Sequence, residues 1–91
     1  MLVLPAELTQ HEASGCLAQL LGQIGAETAV VADAGALTRF DSAALAVLLA
    51  CRRASVDAGK TFAVRQAPAK LQQLAQLYGI ADLLDVSSAA A

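Results

Sequence analysis

The feature that most limits what this chain can become is the stretch from Thr28 to Cys51. Thr28-Ala29-Val30-Val31-Ala32-Asp33 is short, partly β-branched and apolar on both faces. Such a segment suits a central strand covered from two sides. After a loop, Asp41-Ser42 introduces an unbroken apolar run from Ala43 to Cys51. Leu45, Leu48, Leu49 and Arg52 fall along one side of a helical projection, with Ala44, Val47 and Cys51 beside them. The apolar face is so wide that most of this helix must be buried. A covered strand feeding a mostly buried helix points to a layered α/β arrangement.

The flanking segments extend the same alternation. Leu2-Val3-Leu4 reads as a strand limited by Pro5, which cannot donate to a ladder, so an edge position or a strand end is expected. Thr9-Gln10-His11-Glu12 has the form of a capping box. Behind it, Ala13, Cys16, Leu17, Leu20, Leu21 and Ile24 recur at three and four, as on the buried stripe of an amphipathic helix, and Gly25 is expected to close it in a left-handed conformation. Residues 34–40 read as a loop turning at Gly35. Arg52 and Arg53 lie in the later turns of the second helix, where cations complement the dipole, and Gly59 stops it. Thr61 to Arg65 reads as a third strand. Pro68 opens a third helix with Leu71, Leu74, Ala75 and Tyr78 facing the core and Gly79 as its cap. Ile80, Leu83 and Leu84 form a last apolar turn. Residues 1–86 are expected to form a single domain, and 87–91 a frayed tail. Three strands make a thin sheet, so a further strand or another form of completion is expected.

Composition excludes several classes of function. With 57% hydrophobic residues and only three aromatics in 91, the core must be built from Ala, Leu and Val. The net charge is −2, and no basic run exists that would track a phosphate backbone, so nucleic acid is not an expected partner. The longest apolar run is far short of the roughly 20 residues a spanning helix needs, so no direct membrane insertion is expected. The first residues lack a basic leader region and reach Glu7 quickly, which together with two unpaired-looking cysteines suggests a cytoplasmic protein. Cys16 and Cys51 read as small buried hydrophobes.

Chemistry has little to work with. His11 is the single histidine, and no carboxylate or cysteine cluster stands near it at ligand spacing, so no metal site is expected. The same shortage leaves any serine without a base and orienting partner, so no catalytic residues are assigned. Glycine-rich phosphate loops are missing, and no cofactor is expected. One constellation remains, Thr38-Arg39-Phe40-Asp41-Ser42-Ala43-Ala44-Leu45. As a helix start it is well formed: Asp41 caps, Ser42 fills the first turn and Phe40 staples. A helix start also presents free amides and partial positive charge, and Arg39 beside it adds a cation.

The stretch from Val30 to Leu49 resembles the central signature of STAS domains, in which a strand ending in Asp leads through a loop to Asp-Ser/Thr and an apolar helix. Leu2-Val3-Leu4-Pro5-Ala6-Glu7-Leu8 resembles the early strand of that family, with Ala6 in place of a glycine. Leu74-Ala75-Gln76-Leu77-Tyr78-Gly79-Ile80 resembles its late helix ending. The resemblance implies an α/β, STAS-like fold with a small mixed β-sheet packed against amphipathic helices. Asp41-Ser42-Ala43-Ala44 is most similar to the small STAS subunit of Mla-type phospholipid ABC transporters, which binds the cytoplasmic ATPase. By that resemblance Ser42 centres a partner-binding surface that includes Asp41, Ala43, Arg39, Phe40 and Thr38. Anti-sigma-factor antagonists are the alternative. Their motif is Asp-Ser-Ser-Gly with the second serine phosphorylated by an anti-sigma kinase. Here Ala43 and Ala44 occupy the last two positions, which leaves Ser42 as the substitute phosphoacceptor. A small enzyme has nothing but the motif serine behind it. The high apolar content further suggests a permanent partner or a homodimer.

Overall fold

The computed structural model describes residues 2–25 and 28–84, and the backbone of 86–88. The elements run β1 (Leu2–Val3), β2 (Glu7–Leu8), α1 (Ala13–Ile24), β3 (Ala29–Asp33), β4 (Arg39–Phe40), α2 (Ser42–Asp57), β5 (Thr61–Ala67), α3 (Ala69–Leu77), α4 (Ala81–Leu84) and β6 (Val86–Ser88). β1, β3, β5 and β6 form one sheet in that order, while β2 and β4 make a separate two-stranded pair. All these pairings are parallel, not mixed as the sequence suggested. The reason is topological: each step between neighbouring strands of the larger sheet passes through helix, and parallel neighbours require such crossovers.

β3 is central, as its two-sided apolar pattern requires, with Leu2 opposite Ala32 on one flank and Val30 opposite Phe62 on the other. β1 lies at the sheet edge, where Pro5 ends it without breaking a ladder. The sheet gains its fourth strand from β6, whose last two residues, Ser87 and Ser88, were read as the start of a frayed tail; residues 89–91 lie outside the described residues. β6 pairs with β5 through an irregular register between Val64 and Ala67. There Gln66 adopts φ 60°, a left-handed conformation that non-glycine residues seldom take.

The core is aliphatic. Leu2, Leu4, Leu8, Leu48, Leu71 and Leu84 are completely buried. Each such side chain contributes roughly 1.5–3 kcal/mol by leaving water. α2 buries Ala44, Leu45, Val47, Leu48, Cys51 and Ser55. The Ser55 hydroxyl donates to the Cys51 carbonyl at 2.7 Å, which satisfies it inside the fold. α1 packs along α2. Its stripe holds at Leu20 and Ile24, with Ala13, Cys16 and Leu17 half-buried, but Leu21 is exposed. Cys51 is fully buried, and burial, with the neighbouring Cys16 thiol adding to it, pushes its thiol pKa up to about 11.

The helix ends show how local sequence is spent. Gly59 (φ 76°) and Gly79 (φ 71°) close α2 and α3 in left-handed conformation. The amides of Lys60 and Ile80 then reach back to the carbonyls of Ser55 and Ala75, the six-to-one bond of a Schellman ending. Gly25 differs from expectation. It stays right-handed, and the last carbonyls of α1 are met instead by Lys60, whose Nζ donates to Ile24 O at 2.8 Å and Gly25 O at 3.2 Å. A cation at a helix C-terminus also suits the dipole. The Thr9–Glu12 capping box does not form either. α1 begins only at Ala13, and the Thr9 hydroxyl donates to the Glu12 carboxylate, so the two side chains pair with each other and not with the backbone.

Candidate partner-binding site

The site is assembled where β4 meets α2. β4 is held to β2 by register, Glu7 opposite Arg39 and Leu8 opposite Phe40. The Ala6 carbonyl accepts from the amides of Thr38 (2.8 Å) and Arg39 (3.0 Å), and from the Thr38 hydroxyl at 3.2 Å. The chain therefore enters α2 from a fixed direction. Asp41, in extended conformation, caps the helix by accepting the Ala43 amide at 2.9 Å. Its other carboxylate oxygen accepts the Gln10 amide at 3.2 Å, tying the loop before α1 to the same corner.

The residues expected to form the surface divide into two groups. Thr38, Arg39, Asp41 and Ser42 are exposed. Phe40 and Ala43 are half-buried, and Phe40 packs against the core, so it braces the corner more than it projects from it. Ala44 is completely buried. Arg39 pairs loosely with Glu7 (3.5 Å); both side chains are largely in water, so the pair is worth at most about 1 kcal/mol. The Arg39 side chain remains 77% exposed.

Ser42 stands on a ridge between two hollows. On one side a hollow of about 380 Å³ is lined by Gln10, Asp41, Ser42, Ala43 and Ala46. On the other, a shallow groove of about 300 Å³ is lined by Ser42, Leu45, Ala46, Leu49, Tyr78 and Ile80. The ridge itself is Ser42 and Ala46, side chains small enough to let a partner's backbone come close. No charged group lines the second groove, and Tyr78 on its wall is 57% exposed. Tyr78 was expected in the core because it continues the helical spacing of Leu71 and Ala75. It is instead the C-cap that follows the last residue of α3, and it extends the site onto the α3–α4 corner. Leu77 and Leu83, also on that part of the chain, are 77% and 47% exposed. The signal for this was present in the sequence as an aromatic immediately before the capping Gly79, where the helix face is no longer covered.

Neither hollow places a histidine or lysine beside the Ser42 hydroxyl, and the one carboxylate there, Asp41, accepts the Ala43 and Gln10 amides. Among the described residues no three His, Cys, Asp or Glu side chains converge to hold a metal, and no helix is long and apolar enough to cross a membrane.

Comparison with known proteins agrees with the geometry. No curated protein matches the chain. Among solved structures, a candidate anti-sigma factor antagonist from Thermotoga maritima superposes with a TM-score of 0.79 at 15% identity, covering 92% of this chain and 75% of that one. At that identity the likeness speaks for the fold, which is the STAS-like α/β arrangement expected from the sequence. A family model described as "Mlab, STAS domain" matches residues 1–85. The match spans β1 through α4, including the Asp41-Ser42 corner, and the chain belongs to the MlaB-type STAS domains, a family of protein-interaction modules.

Proposed function

We propose that this STAS domain is a non-catalytic subunit that docks on the cytoplasmic ATPase of an Mla-type phospholipid-transport ABC complex and supports its assembly and activity. Such a protein works in the cytoplasm, peripheral to the membrane complex. The observation that carries the reading is the position of Ser42, exposed on a small-residue ridge with an uncharged apolar groove beside it. Interfaces combine an apolar centre with a polar rim. Here Leu45, Leu49, Tyr78 and Ile80 supply the centre, and Thr38, Arg39 and Asp41 the rim. Tyrosine is among the residues that most often anchor an interface. Ala43 in place of a second serine favours this reading over a phosphorylation switch. The test is co-purification with the ATPase: wild type is retained, and Ser42→Glu is lost because a charge on the ridge would have to be desolvated unpaired. Retention of Ser42→Glu at wild-type yield contradicts the reading.

A second reading has one observation in its favour, the fold likeness to a candidate anti-sigma factor antagonist together with an exposed Ser42. In it an anti-sigma kinase phosphorylates Ser42, adding about −1.5 to −2 charge at the helix start. Intact-mass measurement after incubation with the cognate kinase decides: one added phosphate, lost in Ser42→Ala, supports it, and an unchanged mass removes it.

A further inference from the structure

We infer that two copies of this chain pair through the open edge of β1, with the β1 strands antiparallel about a two-fold axis and the two α1 helices side by side over them. This goes beyond the docking reading and uses none of the residues of the Ser42 ridge. β1 is the end strand of its sheet, and no strand lies beyond it among the described residues. The Leu4 amide donates to the Asp33 carbonyl at 3.0 Å, in register with the parallel pairing of β1 on β3. By the alternation of a strand, the N–H and C=O of Val3 point the other way, along the bare edge. An antiparallel copy with Val3 opposite Val3 satisfies both groups reciprocally, and each valine covers the other, now 63% exposed.

The helix beside that edge fits the same arrangement. Gly15, Cys16, Gln19 and Gln23 of α1 line a hollow of about 400 Å³ together with Val3 and Leu4. α1 carries no charged residue, so a copy of itself meets no like charge along its length. A Cβ on Gly15 would touch nothing within 4 Å, so packing inside the fold does not require this glycine, although glycine weakens a helix. It leaves room for a second helix to come close. The two-fold axis also sets the α1 helices antiparallel. The Glu12 end of each then lies toward the far end of the other, where the Lys60 ammonium meets the Ile24 and Gly25 carbonyls. Acid and cation approach across the axis, and the helix dipoles oppose each other. An edge that pairs reciprocally, an uncharged helix and opposite charges at its two ends make a surface complementary to itself, which is what selects a second copy as the occupant.

Sedimentation equilibrium of the chain tests this, with Val3→Lys and Gln19→Glu as variants and Ser42→Glu as a control on the other surface. Val3→Lys sets like charges opposite each other on the paired edges and keeps the bonds of β1 to β3. Gln19→Glu adds a carboxylate to each of the facing helices. The expected result is a dimer for wild type and Ser42→Glu, with the dimer Kd raised about tenfold or more by either edge variant at an unchanged far-UV spectrum. The Val3 amide should exchange more slowly as wild-type concentration rises, and not in Gln19→Glu. Where Val3→Lys alters the far-UV spectrum, Gln19→Glu decides. A wild-type chain that is monomeric at about 100 μM overturns the inference, as does a dimer that the well-folded edge variants leave intact. Protection of the Val3 amide only when the ATPase is added also overturns it, and assigns the edge to a partner's strand.

Discussion

Ser42 and Ala44 stand two residues apart at the start of α2 and face opposite ways: Ser42 is exposed on the ridge, and Ala44 is completely buried beneath it. The same turn thus serves the surface and the core, and the two uses are separable by mutation. Ser42→Glu is expected to leave stability within about 0.5 kcal/mol of wild type, because an exposed acid in the first turn of a helix is tolerated or mildly favourable. Ala44→Leu is expected to destabilise by about 1–3 kcal/mol through overpacking. Denaturant unfolding of the two variants checks this, and only the second should move the midpoint appreciably.

The Asp41 carboxylate is the structural keystone of that corner. Replacing it with Ala removes the cap on α2 and the bond to the Gln10 amide together. The expected loss is about 1–2 kcal/mol, with the cap the larger share. Urea titration measures it, and a second measurement on Asp41→Asn should recover most of the cap's share.

Lys60 replaces the glycine cap that Gly25 does not provide. Its ammonium meets the Ile24 and Gly25 carbonyls. Lys60→Met keeps the aliphatic stem and deletes the donors, and a loss of about 1 kcal/mol is expected. The check is whether amide exchange accelerates in the last turn of α1 and not in α3.

Gln66 holds a left-handed conformation where β5 shifts register against β6. Relief of that strain in Gln66→Gly is partly offset by the greater freedom of glycine in the unfolded chain, so the variant should be neutral or more stable by up to about 1 kcal/mol. Gln66→Val should lose about 1 kcal/mol or more, because a β-branched side chain is hardest to place at positive φ. Thermal melting of the pair tests the bulge directly.

The two thiols should differ in reactivity and in pH response. Cys16 is half-buried and Cys51 fully buried, so alkylation of the native protein at mildly alkaline pH should modify Cys16 first. Unfolded Cys51 releases its proton near its ordinary pKa of 9.0, whereas the folded thiol retains it to about 11. Its contribution to stability is therefore intact below pH 9 and is lost as pH rises toward 11. A Cys51→Ala variant should show a shallower decline across that window, followed by urea midpoints at each pH.

Much of this molecule was legible in the sequence because its strongest signals are local. The two-faced apolar pattern of Thr28–Asp33 identified the central strand, and Gly59 and Gly79 marked two helix ends that depend on left-handed backbone. Asp41 read as a cap and is one. What escaped notice depends on tertiary context. β2 and β4 have two residues each, too few to carry any period. β6 contains Ser87 and Ser88, which show no alternation; its pairing comes from the open edge of β5. Tyr78 and Leu21 carry the spacing of core residues, yet Tyr78 falls past the last residue of α3, and Leu21 is exposed beside the stripe that buries Leu20 and Ile24. Thr9 and Glu12 have the letters of a capping box one turn too early for the helix that forms. The strain at Gln66 leaves no trace in composition, since it arises from strand register alone.

The central claim is that the ridge at the start of α2 is the face the partner covers. Amide hydrogen exchange of this chain, alone and mixed with the Mla-type ATPase, tests it most directly. The account predicts that protection on binding concentrates at residues 42–46 and around Tyr78, with the β1 edge unchanged. Protection confined to the β1–α1 side, with the Ser42 ridge exchanging as in the free protein, would contradict it.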